Sequence, residues 1–421
     1  MTLRPSAREI IARCKASGVT VIAGGPLFSS EHDDFGDVDH FVLDEAEATL
    51  QPFLRDFARG KAKRIYRACD WPDLNETPIP RWDLVHPRHY ASRNIQYSRG
   101  CPYDCDFCSV TQLFGHRPRT KKAEQIIAEL DSLYDMGWRG TVGFVDDNLT
   151  GNRKKLVDEL LPALLEWRRG KWGMTFSTQV TVNLADDPEL MDMMVRAGFD
   201  TVFVGIESID EAAFAECNKK QNEHRDLLAD VRAIQRAGMQ VQGGFIVGFD
   251  HDTPTIFKRM ASFIQKSGIA TAMVGTLQAP AGTRLYERLS KEGRIRYDFS
   301  GDNTDGTTNI IPTMGLEELE SGYRDMMVEL YSPRNYYARL RTFLREYRPK
   351  PVRARLRGWH ILAFFRSLYF LSIAGKERFH YPGLLIWTVF RNPRAFPTAI
   401  ILAISGYHLR LCMVPQVVQP R

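Results

Sequence analysis

The chain has 421 residues, 44% hydrophobic and 25% charged, which suits two or three globular domains and excludes a fibrous or disordered polymer. Seven cysteines, three of them within eight positions, make no even disulfide framework and point to a reducing, cytoplasmic setting. No secretory h-region follows Met1, and the apolar runs 383–390 and 395–407 fall short of the ~20 residues needed to span a bilayer. The net charge of +5 is uneven: from Arg334 onward sixteen Lys and Arg face only Glu346 and Glu377, a surplus of +14 that leaves −9 for the remainder. The basic character therefore belongs to one C-terminal module.

Ser6 suits the N-cap of a helix to Ala16, with Ile10, Ile11 and Cys14 on its apolar side and Gly18 ending it. Residues 19–26 read as a buried parallel strand closing in Gly24-Gly25-Pro26. A second strand, 39–43, leads through Asp44-Glu45-Ala46-Glu47 into a helix to about residue 59. Two parallel strands bury little apolar surface against the entropy of ordering them, so 1–66 is expected to be part of a larger α/β unit or a flap packed on a neighbour. Residues 67–93, with Trp71, Pro72, Pro78, Pro80, Trp82 and Pro87, have the composition of an extended linker.

From 94 the pattern becomes regular. Strand 94–98 runs through Gly100 into a loop carrying Cys101-x-x-x-Cys105-x-x-Cys108. Thiolates are soft ligands for iron–sulfur clusters and for zinc, but a structural zinc closes its shell with four protein ligands. Three cysteines on one tight loop, with no evident fourth, suit a cubane cluster with one iron left open; a zinc knuckle or a redox dithiol is the alternative. Strands 94–98, 141–146, 174–180, 201–206, 240–249 and 271–278 alternate with helices 121–136, 153–167, 188–197, a long helical stretch to 237, 255–266 and 284–292. Right-handed crossovers wind six such units into an open barrel over 94–295; a flat doubly wound sheet is the alternative.

Ligand chemistry in a barrel sits at the C-terminal ends of the strands. Candidates there are Asp146, Asp147 and Asn148, then Ser177, Thr178 and Gln179, then Glu207, then Ile246–Gly248. Carboxylates suit an ammonium group, although each polar residue alone also reads as a solvated strand end. Cys217, in a polar stretch, reads as a surface thiol. Residues 298–306 are turn-rich and expected to form a lid, followed by a helix at 317–331. The tail then interleaves Trp359, Phe365, Phe370, Trp387 and Phe390 with Arg357, Arg366, Arg378, Arg391 and Arg394. It reads as a helical cover on the barrel, as a surface for an anionic membrane, or as a nucleic-acid grip. The aromatics exceed what a phosphate grip needs, which weighs against nucleic acid.

The cysteine spacing with Phe107 just ahead of Cys108, followed in order by the strand–helix units, resembles the radical S-adenosylmethionine (SAM) superfamily. The resemblance implies a partial (β/α)6 barrel and a 4Fe–4S cluster held by Cys101, Cys105 and Cys108. It further implies SAM chelated to the open iron and cleaved reductively to a 5′-deoxyadenosyl radical. It puts the Phe107 backbone near the adenine and Ile246 to Gly248 against it. Asp147 and Asn148, where the family often has Gly-Gly-Glu, would meet the SAM ammonium. Glu207 would meet the ribose hydroxyls or the ammonium, and Gln179 would line the pocket.

The turns at Gly24, Gly25 and Pro26 and at Asp44 to Glu47 resemble those lining the nucleotide tail in the cobalamin-binding Rossmann-like domain ahead of many radical SAM modules. They imply cobalamin. The Asp-x-His-x-x-Gly motif of that domain's first half is missing here, so 1–66 reads as a truncated cobalamin domain or as a leftover flap. The tail resembles a C-terminal extension in one subgroup of cobalamin-type members, whose neighbours methylate hopanoid lipids or chlorin pigments. The expected architecture is thus α/β, with a partial Rossmann-like unit at 1–66, a linker at 67–93, the barrel at 94–295, and a lid loop with a mostly helical basic module at 296–421. The expected activity is C-methylation of a hydrophobic small molecule, with one SAM as radical source and a second to recharge methylcobalamin. Its partners would be an electron donor such as flavodoxin or ferredoxin and a membrane surface. A radical SAM enzyme that modifies tRNA and a truncated non-catalytic paralogue are the alternatives.

Overall fold

The computed structural model describes residues 4–86, 89–296, 305–350, 358–375 and 377–418. All but the last two residues of the expected lid lie outside them. At the N-terminal end, β1 (Ile22–Gly24), β2 (His40–Val42) and β3 (Ile65–Tyr66) form a parallel sheet in that order. The third strand lies where the sequence shows only a run of charges; two residues are too few for a periodic signal. Helix Arg4–Ala16 buries Ile11 against Ala23, Phe35, Phe41 and Leu43. Helix Ala46–Ala58 buries Phe53 on the other side, against Val42 and Tyr66.

β4 (Ser92–Ile95) is followed by a ribbon of β5 (Ser98–Arg99) and β6 (Arg119–Thr120), antiparallel, which brackets the cysteine loop. Then come β7 (Thr141–Phe144), β8 (Thr175–Val180), β9 (Phe199–Glu207), β10 (Gln240–Val247) and β11 (Ala272–Thr276). β4 and β7 to β11 make one six-stranded parallel sheet in chain order, open between β4 and β11. This is the expected partial (β/α)6 arrangement. Strand alternation sorts the side chains of β8: Phe176, Thr178 and Val180 face the helix layer, while Ser177 and Gln179 face the barrel interior. Thr178 is therefore removed from the candidate pocket wall.

The long helix expected up to residue 237 is interrupted. It resolves into Glu211–Glu216, a 3₁₀ turn at Lys220–Asn222 and Leu227–Ala237. Asn218 and His224 adopt left-handed φ of 55° and 57°, which a continuous helix cannot accommodate. A new helix then starts where the Asp226 carboxylate accepts the Ala229 N–H at 3.0 Å.

An open barrel leaves β11 as a sheet edge with unpaired carbonyls. Helix Leu316–Leu330 covers it: Tyr323 donates its hydroxyl to the Val274 carbonyl at 2.9 Å, and Tyr331, just past the helix, donates to Ala272 at 2.7 Å. Helices Pro333–Glu346, His380–Arg391 and Phe396–Val418 pack behind it, and their buried residues join the barrel's own core in one continuous cluster. Arg339, fully buried, joins the layers. Its guanidinium donates to Gln265 Oε1 and the Leu330 carbonyl, both at 2.9 Å, and to Ala270 at 3.4 Å, between the rings of Tyr331 and Tyr336. Arg339→Leu strands these acceptors in the core and is expected to cost about 3 kcal/mol. Urea unfolding of the full chain checks this; a loss below about 1 kcal/mol would show that the three acceptors find other donors.

Candidate active site

The three cysteines stand on the loop between β5 and the short helix Val110–Phe114, at the C-terminal end of the barrel. Gly100 makes the turn into the loop with φ of 95°, and a Cβ there would lie 2.9 Å from the Gly115 carbonyl and 3.0 Å from that of Phe114. Only glycine fits. The loop is tied down on two sides. Asn218 donates to the Asp104 carbonyl at 2.7 Å, and the Asp106 N–H donates to the Cys217 carbonyl at 3.0 Å. Arg284, the first residue of helix Arg284–Lys291, pairs with Asp104 at 2.5 Å and with Asp106 at 2.7 Å.

Cys217 is not the surface thiol expected from its polar neighbours. It is buried against Phe249, Leu277 and Leu285, because the interrupted helix turns it under the cysteine loop.

Burial raises all three loop thiols, Cys108 to about 12, and each is pulled back by the same cation, Lys219. Lys219 is itself buried. Burial lowers its pKa, but Glu207 and Cys105 outweigh that and raise it, so it stays an ammonium. Its Nζ donates to Glu207 Oε1 at 2.8 Å and lies 5.9 Å from the centroid of the Phe107 ring. Glu207 sits at the end of β9 with a left-handed φ of 62°, an uncommon conformation for a non-glycine residue and typical of functional sites. Asn222 holds that bend by donating to the Ile206 carbonyl at 2.8 Å. Beside it, a Cβ on Gly205 would fall 2.3 Å from Glu207 Oε1 and 3.1 Å from Lys219 Nζ, so glycine keeps the cradle open.

Lys219 and Asn222 were missed in the sequence. They look like surface residues of a polar helix, and only the break in that helix brings them to the barrel mouth.

The remaining candidates lie around the same end. Asp147 accepts the Gly100 N–H at 3.0 Å, and burial raises its pKa. Asn148 is buried and accepts the Thr150 hydroxyl at 2.8 Å. Gln179 is exposed toward the interior. Phe107 and Ile246 are half-buried and pack on the same Phe249–Leu277 cluster. Gly248 has φ of 106°, and its N–H is accepted by Asp252 at 2.8 Å.

In the N-terminal unit, a Cβ on Gly24 would meet the Val42 carbonyl at 2.4 Å, and Gly25, with φ of 91°, precedes the helix Pro26–Glu31. Pro26, Ser29, Asp44 and Glu45 line a cavity of about 370 Å³ shared with Trp71 and with Gln112 to Phe114 of the short helix after Cys108. The two glycines shape the turn without lining it. Glu45 and Glu47 are occupied by the barrel: Arg99 bonds to both and Arg119 to Glu45, clamping the unit onto β5 and β6.

The donor set fits an iron–sulfur cluster. Three half-buried thiols share one loop, with a cation beside them and a polar atom, Gln221 Oε1, buried without a partner while its Nε2 donates to Cys105 Sγ at 3.7 Å. Among the described residues no three His, Cys, Asp or Glu side chains converge as a single ion would require. A cubane instead takes each thiolate on a different iron.

Residues 95–264 match the radical SAM superfamily. The chain carries a radical SAM domain. Such a domain implies a 4Fe–4S cluster and SAM. Residues 283–417 match a domain of unknown function, DUF4070. Over a longer stretch than that domain, the chain also resembles named proteins. It is 41% identical over 348 residues to an uncharacterized methyltransferase, sll1242, of Synechocystis, covering 81% of this chain and 65% of that one. It is 35% identical over 335 residues to the hopanoid C-2 methylase of Rhodopseudomonas palustris (78% and 62%), and 25% identical over 337 residues to the bacteriochlorophyllide d C-12(1)-methyltransferase of Chlorobaculum tepidum (77% and 72%). The chain thus spans somewhat less than two thirds of the length of the first two relatives. In fold it is similar to TsrM of Kitasatospora setae, a radical SAM methyltransferase with cobalamin and a [4Fe-4S] cluster bound, with a TM-score of 0.64 at 13% identity over 96% of this chain and 84% of that one.

Two outcomes follow for the radical SAM domain. Lys219→Met removes the cation all three thiols share, so reconstituted iron per chain should fall and the cluster's midpoint potential should move negative, with Lys219→Arg restoring both. An unchanged potential in Lys219→Met would sink the electrostatic role. Asp146, fully buried and accepting the Ser98 N–H, is pushed by burial to about 7. The folded protein therefore holds a proton the unfolded chain has released, and this contribution to stability is lost as pH rises from about 4 through about 7. Asp146→Asn should gain stability relative to the unsubstituted apoprotein between about pH 5 and 8 in urea titrations; a difference that stays constant with pH would contradict the assignment.

Proposed function

We propose that this chain is a cobalamin-dependent radical SAM enzyme that methylates a carbon of a hydrophobic substrate, a lipid or a tetrapyrrole. The observation that carries the proposal is the half-buried three-thiol loop beside the buried Lys219 at the open end of the barrel, with the N-terminal cavity against the helix that follows Cys108. When bound, the cluster and SAM supply one-electron chemistry and cobalamin a transferable methyl group.

In this reading Cys101, Cys105 and Cys108 hold three irons, and Lys219 offsets their negative charge. Asp147, Asn148 and Glu207 bind the polar end of SAM, with Gln179 on the interior wall. Phe107, Ile246 and the Gly248 turn exclude water around its adenine. Pro26, with the turn shaped by Gly24 and Gly25, borders the cavity for cobalamin. Residues 1–66 then serve cobalamin, 94–295 the cluster and SAM, and 296–421 cover the barrel, with 67–93 as linker. The hopanoid and bacteriochlorophyllide relatives support a hydrophobic substrate. A low-potential donor such as flavodoxin or ferredoxin supplies electrons, and a membrane surface supplies the substrate.

Anaerobic reconstitution with iron, sulfide and cobalamin tests this. About four irons and one cobalt per chain should survive desalting, and hopanoid or chlorin substrates should gain a methyl group. Cluster without cobalt would remove cobalamin from the proposal; a chain that assembles no cluster would end it.

A further inference from the structure

The C-terminal helices expose an apolar surface to water. Helix Gly358–Ser367 and its continuation Leu368–Ala374 present Phe365, Phe370 and Ile373, and helix His380–Arg391 presents Phe390, 82% exposed. Phe379, 78% exposed, stands between them, and Ile401 continues the apolar exposure on helix Phe396–Val418. Aromatic and aliphatic side chains this exposed, on three mutually packed helices, mark a surface that meets a partner.

Arg391, next in sequence to Phe390, lines a cavity of about 550 Å³ together with Arg345, Arg348, Arg394 and Trp387. Arg345 approaches the Trp387 ring at 5.9 Å. Asn392 braces the wall by donating to the Leu344 and Tyr347 carbonyls, both at 2.9 Å. The only two acids beyond Arg334 are taken elsewhere: Glu346 by Arg236 at 2.7 Å, and Glu377, buried, by Arg410 and Tyr337. Four arginines thus line one space with no carboxylate among the lining residues, Arg348 donating to the Arg345 and Tyr347 carbonyls at 2.7 and 3.3 Å.

We propose that this cavity binds the phosphate of an anionic lipid headgroup while the adjoining apolar side chains enter the bilayer interface. Guanidinium forks match phosphate oxygens in pairs, and Phe and Trp suit the headgroup–acyl boundary. Nucleic acid would satisfy the arginines yet leave Phe390, Phe379 and Ile373 in water. No helix among the described residues is long and apolar enough to cross a membrane. The proposal rests on the hydrophobic-substrate reading for its purpose, but binding needs no turnover.

The test is flotation of the reconstituted full chain with vesicles of phosphatidylcholine alone, or of phosphatidylcholine with phosphatidylglycerol. Three proteins are compared: the unsubstituted chain, the double variant Arg391→Gln/Arg394→Gln, and Phe390→Ser. All three substituted side chains are exposed, and circular dichroism checks that the fold survives. Flotation should require phosphatidylglycerol, weaken with salt, and fall about 30-fold in the double variant; Phe390→Ser should weaken it independently. Equal flotation on neutral vesicles, or an unaffected double variant, overturns the proposal. So does arginine-dependent binding to tRNA without binding to vesicles. Cluster content and SAM cleavage are read on the same preparations, so their loss with flotation intact would count against the enzyme reading alone.

Discussion

Burying several thiolates next to one another is expensive unless a cation is buried with them, and in this protein that cation is Lys219. Its ammonium sits under the cysteine loop and is held by Glu207, which the backbone bends into a left-handed conformation to reach it. A buried ion pair of this kind contributes little net stability, since desolvation offsets most of the attraction. Its presence makes sense as electrostatics for the site. The surrounding geometry follows from it: Gly205 leaves room for the pair, Asn222 locks the strand end, and the helix after β9 breaks so that Lys219 can turn inward.

The open barrel creates a second constraint, a sheet edge that water or another strand would otherwise occupy. Helix Leu316–Leu330 and Tyr331 meet it with hydroxyls rather than with a seventh strand, and Arg339 ties that helix to the loop before β11. The C-terminal helices therefore share the barrel's core instead of forming a core of their own. Their inner faces are committed to stability, while their outer faces remain apolar and arginine-rich.

The N-terminal unit solves a different problem. Three very short parallel strands cannot order themselves on buried area alone, and the unit leans on the barrel through Glu45 and Glu47 against Arg99 and Arg119. Those arginines sit on the ribbon that brackets the cysteine loop, so one set of charges fixes both the unit and the loop. The cavity beside them is a product of that clamp. Asp44 bends that turn with a left-handed φ of 61°, which its short polar side chain tolerates.

Cys101, Cys105 and Cys108, the six strand–helix units and the basic tail were legible in the amino-acid order, because ligand spacing, hydrophobic period and charge are local properties of a chain. Element ends moved by a few residues, and the two-residue β3 left no periodic trace. What the sequence could not settle was pairing across distance: Glu207 with Lys219 lies 12 positions apart, and Glu45 with Arg99 lies 54. Cys217 and Lys219 look solvated by their neighbours in sequence and are buried by their neighbours in space. The chain order thus determined which chemistry is present and on what scaffold. Tertiary packing alone decided which charges are buried together, because burial depends on contacts that no local pattern encodes.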